Sequence, residues 1–148
     1  MAADLSERIT IDRPIEEVFE LMANPKNAKD MFVNVSEVES LDDNEKQVGA
    51  KYREYRQLTN RRVGTDIEIT RREQNQEYGF KSLSNGLVVE YRYTFQEIEP
   101  GITKVTFESK VFPKKMMMRL TKLLIIRMLK KEDQDHLKFV KTYMEKEA

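Results

Sequence analysis

Cysteine and tryptophan are absent from the 148 residues, histidine occurs once, and glycine and proline number only five and four. Without cysteine there is no disulfide framework, no thiol nucleophile and no Cys-ligated zinc, and a reducing cytoplasm is the expected setting. A single histidine, His136, excludes a His-centred triad and a multi-histidine metal site. Standing in a charged helix, it reads as a surface or partly buried residue. No apolar run reaches the roughly 18 residues of a membrane span, and the opening MAADLSERIT has no apolar signal region. Neither sign of charge prevails: 26 basic and 26 acidic residues cancel, so no global field favours nucleic acid. A chain of this length fits one domain, residues 1–148, with a core of its own.

Local asymmetry is what the composition hides. Residues 110–131 carry eight Lys or Arg and no acid, and ten of the fourteen residues from Met116 to Leu129 are Met, Leu or Ile. A helix here has an apolar face wider than one packing surface needs. A bound apolar molecule, a membrane surface or a second subunit are the candidates to meet it.

Ser6 to Ile11 alternates, Ile9 and Ile11 against Arg8 and Thr10, as a strand does. Pro14 followed by Glu16 and Glu17 opens a short helix through Met22, and Asn24-Pro25 opens a second that runs to about Met31. After Phe32 the period changes to two for about 80 residues, with turn signals at Asp42-Asp43-Asn44, Asn60-Arg61, Gln74-Asn75, Asn85-Gly86 and Pro100-Gly101. This spacing predicts an antiparallel meander. Leu87, Val89, Tyr91, Tyr93 and Phe95 share one face of the clearest strand, Val105, Phe107, Ser109 and Val111 face inward on the next, and Thr65, Ile67 and Ile69 on an earlier one. From Ala50 to Leu58 the facing stays open, because each side carries tyrosine among charges. Pro113 ends the last strand, and the absence of Gly and Pro from Lys114 to Lys146 predicts a long C-terminal helix.

Strand, two short helices, six-stranded meander and long helix is the helix-grip order, an α+β architecture with about seven antiparallel strands curved around the last helix. Residues 7–41 resemble the opening of the polyketide cyclase/dehydrase and lipid-transport superfamily, the START-like or birch-pollen-allergen-like proteins. Pro14, Val18 and Phe19 take the places of its Pro-x-x-x-Val-aromatic motif. Val48-Gly49, Tyr91-x-Tyr-x-Phe95 followed by Pro100-Gly101, and Leu137-Lys138 extend the likeness over almost the whole chain. Met31-Phe32 replaces the family's frequent tryptophan. The resemblance implies a cavity between sheet and last helix that takes apolar molecules such as lipids or polyketides. It does not imply catalysis, since fold alone does not fix function.

Several residues then become candidates, each with an ordinary structural alternative. Tyr78, Phe80, Tyr91, Tyr93, Phe95 and Phe107 are expected as cavity walls or as core, with Leu120, Leu124 and Met128 from the last helix. A buried tyrosine offers an apolar body and one hydroxyl that orients a ligand. Ser109, inward by parity, is a candidate polar contact, and Glu54 and Arg56 are further ones if Tyr52 faces inward; otherwise Glu54 and Arg56 form an edge or solvent pair. Lys114, Lys115, Arg119 and Lys122 rim the cavity mouth and attract an anionic head group or bilayer, or else form a solvated basic face. The leading expectation is binding of an apolar small molecule, as carrier or sensor. The alternatives are a cyclase or dehydrase in which Glu54, Arg56 or a tyrosine moves protons, and a peripheral membrane or partner-docking module using residues 114–131. No cofactor, metal or nucleic acid is expected, any contact with anionic membrane is weak, and the chain is a monomer or homodimer.

Overall fold

The computed structural model describes residues 4–32, 35–57, 60–84, 87–113 and 136–146, together with Leu123, Ile126, Arg127 and Lys130. The chain opens with β1 (Leu5–Ile11), whose alternation ends on the fully buried Ile11. Pro14 caps α1 (Ile15–Met22), where its fixed φ suits the entry and its missing N–H costs nothing. Glu16 and Glu17 occupy the first turn, and Val18, Phe19 and Met22 form the buried stripe. The Asn24 side chain accepts from the Lys26 N–H at 3.1 Å and starts a 3-10 turn at Pro25–Asn27. That turn leads into the single-turn α2 (Ala28–Met31).

Six strands follow: β2 (Val35–Ser40), β3 (Lys51–Gln57), β4 (Arg62–Glu73), β5 (Glu77–Ser84), β6 (Leu87–Glu99) and β7 (Ile102–Pro113). All pairings are antiparallel, in the order β1-β7-β6-β5-β4-β3-β2, and the sheet is curved. Register shifts at Val35/Glu37, Ile69/Arg71 and Glu97/Glu99 supply bends of the kind that curve a sheet.

The open facing of β3 resolves through its neighbours. Arg53 Nε reaches Asp66 on β4 at 2.8 Å, and the Tyr55 hydroxyl donates to Glu39 on β2 at 3.0 Å. These outer-face partners hold Arg53 and Tyr55 outside, which turns Tyr52, Glu54 and Arg56 inward. Tyr52 and Glu54 are buried, and the Tyr52 hydroxyl accepts from the Lys46 N–H at 2.9 Å.

The C-terminal helix is described as α3 (His136–Lys146), and Leu123, Ile126, Arg127 and Lys130 are helical as well. Leu137, Val140 and Met144 pack α3 on the core. Lys141 Nζ donates to the Thr10 carbonyl at 2.7 Å, and the Asp12 N–H donates to Glu145 at 2.9 Å, tying α3 to β1. His136 corrects the sequence reading: it is 4% exposed and belongs to the core side of the helix. The spacing His136, Val140, Met144 places it one turn before an apolar stripe, and two hydrogen bonds compensate the burial of its ring. Leu120, Leu124, Met128, the Met116–Met118 run and Lys114, Lys115, Arg119 and Lys122 lie outside the described residues.

Candidate functional site

The inward face of β3 to β6 forms one wall of a cavity of about 200 Å³. Its floor follows from register. Glu54 pairs with Thr65, Ile67 with Ser82, Ser82 with Val89 and Phe80 with Tyr91, so these residues are contiguous across four strands. Leu87 extends the patch along β6, Arg56 along β3, and Phe32 closes it from the end of α2. The wall is apolar apart from Glu54, Arg56, Thr65, Ser82 and the Tyr91 hydroxyl.

Glu54 and Arg56 form an ion pair within this lining, Arg56 Nε donating to Glu54 Oε1 at 3.0 Å. The Glu54 side chain is 6% exposed and that of Arg56 26%. The guanidinium also lies 5.4 Å from the centroid of the Phe32 ring, a cation–π arrangement. The solvent-pair alternative for these two residues therefore does not hold.

The expected aromatic walls divide into two groups. Phe80 and Tyr91 line the cavity, their rings stacked at 4.8 Å between centroids. Tyr78, Tyr93 and Phe95 are packed in the core cluster and do not line this cavity. Phe95 meets Phe19 edge-on at 5.3 Å, and burial pushes the Tyr78 hydroxyl upward in pKa. Phe107 stacks on Tyr93 at 4.9 Å and lines a second, smaller cavity of about 130 Å³ with Leu5 and Lys130. Ser109 is fully buried on the inward face of β7, opposite Tyr91, and its hydroxyl has no hydrogen-bond partner among the described residues.

Behind the aromatic cluster sits an arrangement the sequence reading missed. His136 Nδ1 lies 2.9 Å from the Met31 carbonyl and Nε2 lies 2.7 Å from the Tyr93 hydroxyl. A carbonyl only accepts, so Nδ1 carries the proton and Nε2 accepts from Tyr93. The imidazole stacks flat on Phe32 at 4.0 Å. Burial, opposed by the Met31 carbonyl and aided by the Arg56 charge, lowers its pKa to about 4. This neutral histidine thus anchors α3 to α2 and β6 and presses the ring of Phe32, whose side chain closes the cavity. The clue in the sequence was helical spacing with Val140, outweighed there by the acidic neighbours. Among the described residues no group of three His, Cys, Asp or Glu could hold a metal ion, and no helix is long and apolar enough to cross a membrane.

Known structures share this fold. The protein Ara h 8.0201 superposes with a TM-score of 0.72 at 15% identity, covering 94% of this chain and 95% of that one. TTHA0849 from Thermus thermophilus gives 0.71 at 16% identity, covering 94% of each chain. The di-domain ARO/CYC BexL from the BE-7585A biosynthetic pathway gives 0.71 at 12% identity; it covers 98% of this chain, which spans 47% of that protein. At such identities these likenesses establish the helix-grip fold alone. Among curated proteins no sequence matches the chain. Residues 2–145 match the family described as polyketide cyclase / dehydrase and lipid transport, so the chain belongs to that family.

Proposed function

We propose that the protein binds a small apolar molecule in the cavity over β3 to β6, as its carrier or sensor. The observation that carries this is a mainly apolar lining that holds one ion pair, its glutamate buried and its arginine partly so, the composition of sites that take mostly apolar ligands and orient them with few polar groups. The family description, polyketide cyclase / dehydrase and lipid transport, supports the same ligand class. A cysteine-free chain suits a reducing compartment such as the cytoplasm.

Native mass spectrometry of the protein purified from its expression host, followed by organic extraction, tests this. A stoichiometric apolar adduct, lost in Ser82→Trp, is expected. An empty protein that no apolar compound stabilises in thermal melts would refute it.

One observation favours a second, auxiliary reading, contact with an anionic bilayer. Leu123 is 79% exposed, and the exposed Arg127 and Lys130 follow it at helical spacing on the same side. Flotation with anionic but not neutral vesicles, abolished in Arg127→Glu/Lys130→Glu, is the outcome this reading requires.

A further inference from the structure

At the end of β4 away from that cavity, an inward arginine stands without a counter-charge. The register shift at Ile69/Arg71 moves the alternation of β4 by one residue. Arg71 therefore turns outward to Glu77, and Arg72 comes to lie opposite the buried Tyr78. The Arg72 guanidinium stands 5.1 Å from the ring centroid of Phe19, a fully buried residue of α1. It makes no hydrogen bond or ion pair among the described residues, and its Nε–H is buried without an acceptor. Of the five partly buried arginines among the described residues, Arg13, Arg53, Arg56 and Arg92 each meet a carboxylate, and Arg72 is the exception. Strong donors are thus left unused where water competes least for them.

The loop between β2 and β3 meets this arginine. Glu45, Lys46, Gln47 and Val48 form with Arg72 the lining of an open pocket of about 410 Å³. Two bonds fix the shape of the loop. The N–H of Lys46, at φ 58°, donates to the Tyr52 hydroxyl at 2.9 Å, and that of Gly49, at φ 93°, donates to the Ile69 carbonyl at 2.8 Å. The N–H groups of Gln47 and Val48 have no acceptor among the described residues.

The charges of the lining select an occupant. Arg72 and Lys46 against Glu45 leave one positive charge, which a single negative charge cancels and a double one overshoots. Asp42 and Asp43, outside the lining, weigh further against a dianion. Val48, 59% exposed, supplies an apolar surface for the body of a ligand. We propose that this pocket is a second binding site, separate from the cavity over β3 to β6, for a small organic monocarboxylate. Because Nε is buried, the terminal Nη groups of Arg72 make the contact, their parallel N–H bonds matching the two carboxylate oxygens. The inference does not rest on ligand binding in the other cavity.

Nitrogen-15 NMR titration of the whole chain locates binding by resonance. Sodium benzoate at constant ionic strength is expected to shift the amide signals of Gln47 and Val48 and the Nε–H signal of Arg72. Benzamide, its neutral counterpart, should leave them in place, and sodium sulfate should bind about fivefold or more weakly than benzoate. Arg72→Met keeps an apolar stem over Phe19 and should weaken benzoate about tenfold or more, with Arg72→Lys, which keeps charge without the fork, in between. The remaining signals report whether each variant is folded, and the benzamide and sulfate arms need no variant. Equal shifts with benzamide, unchanged affinity in folded Arg72→Met, or no shift up to about 10 mM benzoate overturns the proposal. Sulfate binding as tightly as benzoate overturns the carboxylate assignment. Shifts confined to Phe80 and Tyr91 overturn it too, and place benzoate in the cavity over β3 to β6 instead.

Discussion

His136 exchanges hydration for two hydrogen bonds and a stacked ring, and the exchange leaves a trace in pH. Its ordinary pKa of 6.5 falls to about 4 in the fold, chiefly through burial. The unfolded chain therefore takes up a proton that the native state refuses between those values. Stability attributable to this residue is intact above about pH 6.5, declines as pH falls toward 4, and levels off below. The slope reaches ~1.4 kcal/mol per pH unit, about 3 kcal/mol in total. Carboxylates titrate nearby, so the quantity to measure is the difference in urea unfolding free energy between wild type and His136→Gln across this range. The difference should shrink on acidification, and a constant one would mean that His136 does not titrate on unfolding. Tyr93→Phe removes the donor to Nε2 and should cost about 1–3 kcal/mol. Because Tyr93 lies outside the cavity lining, ligand affinity measured on the same variant should hold.

At the scale of the element, packing of α3 is the term most exposed to substitution. Leu137 is 2% exposed, and Leu137→Ala should destabilise by about 2–4 kcal/mol in denaturant titration. Reading such elements from sequence worked where alternation was clean. β6 and β7 present aromatic and branched residues on one face and charges on the other, and their inward residues Tyr93, Phe95, Val105 and Phe107 are buried as expected. β3 was not legible alone. Both of its faces carry a tyrosine among charges, and the decision lies in Asp66 and Glu39 on other strands, which only pairing brings within reach. The candidate site shares that split. Phe80 and Tyr91 could be named from parity and Glu54 and Arg56 only on the condition that Tyr52 faces inward, but Phe32 could not, since its place in the lining depends on how α2 and His136 meet.

For the whole molecule, zero net charge means that recognition of an uncharged apolar ligand should be nearly insensitive to ionic strength. Ligand at about one hundred times its Kd adds ~2.7 kcal/mol to stability. In a domain of this size that raises Tm by about 5–10 °C, and Ser82→Trp should abolish the rise. Calorimetric melts with and without a saturating apolar probe such as para-ethyltoluene, at low and high salt, check both statements.

The sheet also has a consequence in time. β1 pairs with β7, Leu5 lying opposite Ser109, so the first strand made is the neighbour of the last. At a synthesis rate of about 5–20 residues per second, β1 waits roughly 5–20 s on the ribosome for its partner. The meander can assemble hairpin by hairpin as it emerges, whereas β1 and the helices behind it close the structure only once β7 has been made.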